Sequence, residues 1–227
     1  MTHPDILRKV PLFSDLPEED LERLANVSFT RVFEKDNVIF LERDEGDSLF
    51  IINSGRVKVA NFSKDGKEII LAILGVGEFF GDMSLLDGEP RPATVVAIED
   101  TEVSAIRRSE FLSIMRENPQ IAERLLAALS LRLRDANRKI TNLALLDVFG
   151  RLARVLIDIS RQEGRQTNDG WIAFRRPTHQ AIANMIGTSR ETVTRTLGEL
   201  HRKGFIQLLG KEIAIKEHFQ RDLDKEN

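Results

Sequence analysis

Three charged side chains in the C-terminal third of the chain have types and spacing that suit recognition of DNA. Arg190 and Glu191 are adjacent, and Arg195 follows four residues after Glu191. On a helix, positions four apart share one face, so Glu191 and Arg195 would be presented together. Arginine can donate two hydrogen bonds to the edge of a guanine, and glutamate can accept one from the amino group of a cytosine. The pattern therefore predicts contact with base edges.

Two helices joined by a tight turn are predicted to position these side chains. Gly187 can take the positive φ that ends the first helix, and Ser189 is a favoured cap for the second. Such a helix-turn-helix can place the start of its second helix in the major groove. The alternative is a helical hairpin whose charged face is only solvated. Apolar residues at helical spacing form the predicted inner faces: Ile182, Met185 and Ile186, then Val193, Leu197 and Leu200.

The candidate DNA-binding residues extend over both predicted helices. His179 lies in the first turn of the helix that would cross the DNA backbone, where it could touch a phosphate. The complete set shares the outer surface of this segment: Thr178, His179, Ser189, Arg190, Glu191, Thr194 and Arg195.

Composition excludes several classes of protein. The 227 residues allow two small domains, and the content of 41% apolar and 30% charged residues is typical of a soluble protein. The absence of cysteine excludes disulfides, zinc–thiolate sites and iron–sulfur clusters. The four histidines show no metal-ligand spacing, and no nucleophile–base pattern indicates an enzyme. No signal peptide or membrane-spanning run is evident, so a cytoplasmic location is expected.

The net charge of −3 hides an asymmetry along the chain. From Asp147 onward there are 14 Lys and Arg against 11 Asp and Glu, a net charge of +3, which leaves −6 for the earlier part. A basic C-terminal part is what phosphate contacts need, although the bias is mild.

The N-terminal half changes to an alternating pattern of apolar residues. Short runs from about Phe29 to Ile106 are separated by Gly- and Asp-rich turns, which predicts a β jelly roll or barrel. Ahead of it, a helix is expected to start near residues 14–19, with Ser14 or Asp15 as its cap.

The segment 81–94 could hold a phosphate. It combines a glycine turn, Asp82, a short apolar helix and the isolated Arg91, whose guanidinium supplies charge and a fork of donors. A dinucleotide-binding loop around Gly75, Gly77 and Gly81 is disfavoured because its flanks are strand-like. The remaining alternative is a corner without ligand, in which Arg91 pairs with an acid such as Asp82.

A long helix is predicted from Gln120 to Leu145. An a/d heptad pattern on it predicts a dimer interface formed by two copies of the chain, with packing against its own domain as the alternative. The seam residues recur at spacings of three and four: Leu126, Leu129, Leu133, Ala136, Ile140 and Leu143.

Three motifs resemble the cyclic-AMP receptor/FNR superfamily of bacterial transcription factors, and the resemblance covers nearly the whole chain. The motifs are SRETVTR in the second helix of the helix-turn-helix, EGDSLFIINSGRVKV in the strands, and GDMSLLDGEPRPAT around Arg91. The resemblance implies an α+β fold with a cyclic-nucleotide-binding jelly roll in 1–118, a dimerisation helix and hinge in 119–146, and a winged helix-turn-helix in 147–227.

The resemblance also implies partners. A homodimer would bind double-stranded DNA at palindromes with TGTGA-like half-sites about one helical turn apart, and it would contact RNA polymerase. A cyclic nucleotide or another phosphorylated compound is the implied effector. The residues implied to bind it are Gly81, Asp82, Arg91, Ala93, Thr94 and Asn137.

Four positions depart from the pattern of the cyclic-AMP receptor. Asp82 stands where glutamate is usual, which shortens the reach to a ribose, and Pro92 stands where serine is usual, which removes a hydroxyl and an N–H group. Ala136 and Asn137 replace the Thr–Ser pair that contacts adenine. Asn137 could read a base edge differently, or it could set the helix register.

These departures leave three alternatives for the effector: cyclic AMP, a different compound, or none. The rival functions are a constitutive regulator of the same fold and a cyclic-nucleotide-regulated subunit of an enzyme or channel. The helix-turn-helix argues against the second rival.

Overall fold

The structure is a computed structural model that describes residues 4–167, 169–216 and 219. Packing divides the chain into two compact units, Met1–Arg134 and Asp135–Asn227. The longest described helix, Pro119–Leu145, crosses the boundary between these units. The division of roles among the three predicted segments stays a prediction.

The first unit contains two four-stranded antiparallel sheets with strand orders β1-β8-β3-β6 and β2-β7-β4-β5. Apolar side chains from both sheets, such as Phe50, Val57 and Val95, share one core. This arrangement confirms the β-rich fold that the alternating pattern predicts. The strands are β1 (Phe29–Phe33), β2 (Val38–Phe40), β3 (Ser48–Ser54), β4 (Val57–Phe62), β5 (Glu68–Leu74), β6 (Phe79–Phe80), β7 (Thr94–Ala97) and β8 (Thr101–Arg107).

Helices cover one side of this roll around a second apolar core. Its largest fully buried side chains include Phe13 and Phe111, whose rings meet edge-on at 6.4 Å between centroids. The helices that lie wholly in the first unit are α1 (Pro4–Arg8), α2 (Glu18–Val27), α3 (Asp82–Asp87) and α4 (Arg108–Glu117).

The expected cap of α2 at Ser14 or Asp15 is wrong. The helix begins at Glu18, directly after Pro17, and no side chain caps it. Proline fixes its own φ near the helical value and favours the first positions of a helix, so it moves the start downstream. The two polar side chains have other partners: Ser14 donates to the carbonyl of Pro11 at 3.3 Å, and Asp15 pairs with Arg124.

The long helix α5 spans Pro119–Leu145 and presents two different apolar faces. Ile121 and Leu125 are buried in the helical core of the first unit, and Leu129 packs partly against it. The start of α5 therefore does pack on its own domain, as the alternative to a dimer seam supposed. A second apolar stripe is exposed to solvent: Leu126 (64%), Leu133 (62%), Ile140 (64%) and Leu143 (45%), together with Ala136.

The second unit combines the end of α5 and further helices with a four-stranded antiparallel sheet of order β11-β12-β10-β9. Ile182, Leu197 and Phe174 are among the buried residues of its single core. A strand at Trp171–Arg175 and a β-hairpin after the helix-turn-helix are both present, in keeping with the winged helix-turn-helix that the resemblance implies. The elements are α6 (Val148–Glu163), β9 (Arg165–Gln166), β10 (Trp171–Arg175), α7 (His179–Ile186), α8 (Arg190–Arg202), β11 (Ile206–Leu209) and β12 (Glu212–Lys216).

No described helix is long and apolar enough to cross a membrane. Within the same part of the chain, no three metal-ligating side chains come together. His3 and His218 lie outside the described residues.

The cap of α6 gives a testable prediction about stability. Asp147 precedes α6 and accepts a hydrogen bond from the backbone N–H of Gly150 at 2.8 Å. Asp147→Ala should lower the free energy of unfolding of the second unit by about 1 kcal/mol, because an N–H at the helix start loses its acceptor. Urea unfolding followed by the fluorescence of Trp171, at fixed protein concentration, measures the change.

Asp147→Asn is the matched control, since asparagine is an equally good cap. It should retain the stability of the wild type. Equal losses in the alanine and asparagine variants would contradict the role of the cap.

Candidate nucleic-acid interface and effector pocket

A glycine and two N-terminal caps define the ends of α7 and α8. Thr178 accepts a hydrogen bond from the N–H of Ala181 at 3.1 Å and opens α7. Gly187 ends that helix in the left-handed region, with φ of 66°. Ser189 then accepts from the N–H of Thr192 at 3.2 Å and opens α8. The predicted helix-turn-helix is confirmed, with a short connection that fixes the two helices relative to each other.

The outer face of α8 exposes the side chains whose pattern predicts DNA reading. Arg190, Glu191 and Arg195 are all exposed, whereas Val193 and Leu197 on the opposite face are buried. The pKa of Glu191 is lowered by its own backbone N–H, by the hydroxyl of Ser189 and by the charge of Arg190. The helix therefore presents an ionised acceptor between two guanidinium groups. Their contact with DNA stays a prediction.

A hydrogen bond across the two helices joins two further candidates. His179 Nδ1 lies 2.8 Å from the hydroxyl oxygen of Thr194. That hydroxyl donates its proton to the carbonyl of Arg190 one turn earlier, at 3.0 Å. The first residue of α7 is thus tied to the first turns of α8.

In the roll, Arg91 is 3% exposed and its guanidinium is enclosed by the protein itself. Its two terminal nitrogens donate to the carbonyls of Gly81 at 2.8 Å and Ser48 at 2.9 Å. The guanidinium carbon also lies 4.3 Å from the centre of the Phe40 ring, a distance at which a cation is attracted to an aromatic face. Burial lowers the pKa of Arg91, and the carboxylates of Asp47, Asp82 and Asp44 oppose that shift.

Asp82 does not pair with Arg91, so the ion pair expected in the alternative without ligand is wrong. Its Oδ1 accepts a hydrogen bond from Arg132 of α5 at 2.7 Å. The same guanidinium donates to the carbonyl of Phe79 and lies 4.5 Å from the centre of that ring. Arg91 instead contacts two backbone carbonyls and the ring of Phe40. The carboxylate of Asp82 pairs with Arg132 of α5.

Three buried polar atoms in this region have no hydrogen-bond partner: Asp82 Oδ2, Ser84 Oγ and Arg91 Nε. Ser84 and Arg91 both border Gly46, where an added Cβ would lie 2.5 Å from Ser84 Cβ and 2.8 Å from Arg91 Nε. Buried polar groups usually have a hydrogen-bond partner, so groups without a protein partner are candidates for contact with a water, an ion or a ligand. An acceptor, a hydroxyl and a charged donor are what the hydroxyl and phosphate groups of a nucleotide require.

Of the other predicted effector residues, three lie in the first unit and one lies in the second. Gly81 has φ of 82°, and a Cβ there would lie 2.7 Å from a terminal nitrogen of Arg91, so only glycine allows this approach. Ala93 and Thr94 are buried, and the hydroxyl of Thr94 already accepts the N–H of Glu42 at 3.0 Å. Asn137 lies exposed on the part of α5 that belongs to the second unit. Its role in an effector site stays a prediction.

Sequence reasoning misses two residues of this pocket. The sequence shows Arg132 only as a residue off the heptad seam, because the partner of a surface-type arginine is not evident from local sequence. Phe40 is recognisable only as a strand residue. It lies 51 residues before Arg91 in the chain, so only the pairing of β2 with β7 shows that the two are close.

The fold and the two sites define a class of protein: a helix-turn-helix DNA-binding regulator with a roll of the cyclic-nucleotide-binding type. The family model of the cyclic nucleotide-binding domain matches residues 30–118, and that of the Crp-like helix-turn-helix domain matches residues 150–218. The chain belongs to the cyclic-AMP receptor/FNR family of transcription regulators.

Relatives of known name cover nearly the whole chain. The CRP-like cAMP-activated global transcriptional regulator of Mycobacterium tuberculosis is 31% identical over 94% of this chain and 95% of its own length. The cyclic AMP receptor protein of Thermus thermophilus is 35% identical, with 91% and 93% covered. The solved structure of the c-di-GMP responsive regulator CLP of Xanthomonas campestris is 27% identical, covers 88% of this chain and 99% of CLP, and has a TM-score of 0.77. These relatives are transcription regulators, which confirms the prediction that the chain is not an enzyme.

Proposed function

We propose that the protein is a homodimeric, sequence-specific transcription regulator that binds inverted TGTGA-like half-sites. The observation that carries this proposal is the capped α8, which exposes Arg190, Glu191 and Arg195 together. Two guanidinium groups can donate to guanines, and the ionised carboxylate can accept from a cytosine. Because these groups lie in the first two turns of the helix, they are at the end that enters the major groove in proteins of this kind.

The exposed stripe of α5 supports a dimer. Leu126, Leu133 and Ile140 recur every seven residues and are each more than 60% exposed. Leaving several large apolar side chains in water on one face is unfavourable, and a second copy of the same helix would cover them. A symmetric dimer would also present two copies of α8, which suits a palindromic site. RNA polymerase is the further partner that we propose, since the named relatives regulate transcription.

The pocket of the roll supports a small phosphorylated effector. Arg91, Asp82 and Ser84 would hold such a compound, whose phosphate would supply acceptors and whose sugar would supply hydroxyl groups. Asp82 is also bonded to Arg132 of α5, so a ligand that competes for this carboxylate would act on the long helix. Coupling of this kind requires that the ligand favour one arrangement of the helix over another.

A constitutive regulator is the second candidate, and one observation favours it. Both terminal nitrogens of Arg91 and one oxygen of Asp82 are already bonded within the protein. The main charges of the pocket are therefore stabilised without a ligand. An effector would have to replace these bonds or add to them through the three unpartnered atoms.

Arg195→Ala tests base reading. The variant should lose about 1–3 kcal/mol of binding free energy at each half-site and should relax the preference at one G·C pair, because two donors to a guanine are removed. Selection of binding sites from a random pool gives the preference at each position. Arg202→Ala, which removes the same charge from the last turn of α8, should leave the selected sequence unchanged. Recovery of non-palindromic or unrelated sites by the wild type would refute the assignment.

Leu133→Asp tests the dimer interface. A charge between two packed helices has no partner, so dimerisation should weaken by several kcal/mol, about 3–5. Sedimentation should show a monomer that has lost its affinity for the palindrome. Leu131→Asp is the matched control: Leu131 is 64% exposed, as Leu133 is 62%, but it lies on another face of α5. A dimer of Leu133→Asp at micromolar concentration would place the interface elsewhere.

Cyclic AMP tests the pocket. Pro92 removes donors, Asp82 shortens the reach to a ribose, and Ala136 removes a base contact. The loss of two or three bonds of about 0.5–1.5 kcal/mol each lowers affinity by roughly one to three orders of magnitude. We therefore expect weak or no binding of cyclic AMP by calorimetry, and operator binding that depends little on it.

The Pro92→Ser, Asp82→Glu double variant is the comparison. Activation of operator binding by cyclic AMP in this variant alone would show that the two departures disabled the response. Strong activation of the wild type would contradict the prediction.

A further inference from the structure

The bonds around Thr194 determine which nitrogen of His179 carries a proton. A threonine hydroxyl has one proton to donate. Thr194 donates it to the carbonyl of Arg190 at 3.0 Å, as hydroxyls in helices often do one turn back. With that proton donated to the carbonyl, we assign Nδ1 as the donor in the 2.8 Å contact between His179 and Thr194. In the neutral ring, Nε2 then carries a lone pair and no proton.

This tautomer matters because of where His179 lies. It is the first residue of α7, the helix of a helix-turn-helix that crosses the DNA backbone. Phosphate oxygens accept hydrogen bonds and repel lone pairs. Because the Nδ1 proton is bonded to Thr194, the neutral ring would present the lone pair of Nε2 to a phosphate. The protonated ring would instead donate a hydrogen bond through Nε2–H.

We propose that His179 binds a DNA phosphate through Nε2–H, and that the protein takes up a proton at this histidine when it binds DNA. The proton comes from solvent and is held between the ring and the phosphate in the complex. This inference rests on the proposed DNA-binding function and adds to it a histidine that becomes protonated when DNA binds.

The charges around the ring support this role. The pKa of His179 is lowered by burial and by the positive charges of Arg176, which precedes α7, and of Arg190, which opens α8. The helix α6, which also packs against α7, does so through apolar residues of the shared core. The ring is therefore mostly neutral at pH 7 in the free protein. A bound phosphate would raise the pKa of the ring.

The sign of the pH dependence follows. The complex holds the proton more tightly than the free protein, so affinity is highest below the pKa of the free protein. It falls as the pH rises through the pKa of the complex. Lowering the pH from 8 to 6 should therefore strengthen DNA binding about tenfold more in the wild type than in a variant without this histidine.

Calorimetric titration in buffers of different ionisation enthalpy measures the protons taken up. One duplex carries two inverted TGTGA half-sites, and a second of equal length has random sequence, since a phosphate contact does not depend on base sequence. The wild type should take up protons on both. His179→Arg should bind with undiminished affinity at pH 8 and much smaller uptake, because arginine is always charged. His179→Gln should also show small uptake and should bind about tenfold more weakly than the wild type at pH 6.

Two variants of Thr194 test the positioning. Thr194→Ser keeps the hydroxyl and should keep the proton uptake. Thr194→Ala removes the acceptor for Nδ1, so the neutral ring can carry its proton on Nε2, and the uptake should shrink. Full uptake in Thr194→Ala would overturn the assignment of the tautomer.

The outcomes separate this inference from the proposed function. Specific binding of the wild type with the same proton uptake as His179→Arg would overturn the role of His179 and leave the function intact. Failure of the wild type to bind either duplex would overturn both.

Discussion

The burial of Ile121 and Leu125 at the start of α5 decides what the rest of that helix presents. A helix advances by about 100° per residue, so Arg132 lies within about 20° of Ile121 around the axis. It therefore faces the roll, where it reaches Asp82. Leu126 and Leu133 lie about 120–140° from Ile121 and are left in solvent. One rotational setting thus turns Arg132 toward Asp82 and leaves the apolar stripe of Leu126 and Leu133 exposed.

Burying polar side chains without hydrogen-bond partners around Arg91 costs free energy. Asp82, Ser84 and Arg91 are at most 3% exposed, and each has a polar atom without a partner. A buried group of this kind costs about 1–3 kcal/mol. The roll could avoid that cost with apolar side chains of similar size, as it does elsewhere in the core around Phe50 and Val95. Under the proposed function, a ligand that supplies hydrogen bonds to these atoms would offset the cost.

How much of the molecule is predictable from sequence depends on how local the cause is. Caps and turns act within a few residues, so Thr178, Gly187, Ser189 and Asp147 can be assigned from sequence. The exception at α2 is also local, because Pro17 moves the helix start past Ser14. The partners of Arg91 cannot be assigned in this way, since two are backbone carbonyls and the third, Phe40, is distant in the chain. Sequence patterns identify side chains that need a partner, and the pairing of strands decides which partner is near.

In the helix-turn-helix, hydrogen bonds fix the backbone at the start of α8, whereas the arginine side chains are exposed. Ser189 caps α8, Thr194 bonds back to the carbonyl of Arg190, and His179 joins α7 to that turn. These bonds set the direction of the helix backbone before DNA is present. The side chains of Arg190 and Arg195 extend into solvent beyond this framework and must be ordered on binding, which costs conformational entropy. Under the proposed function, hydrogen bonds to a matching base would offset that cost, so a rigid turn with exposed side chains would favour discrimination between sequences.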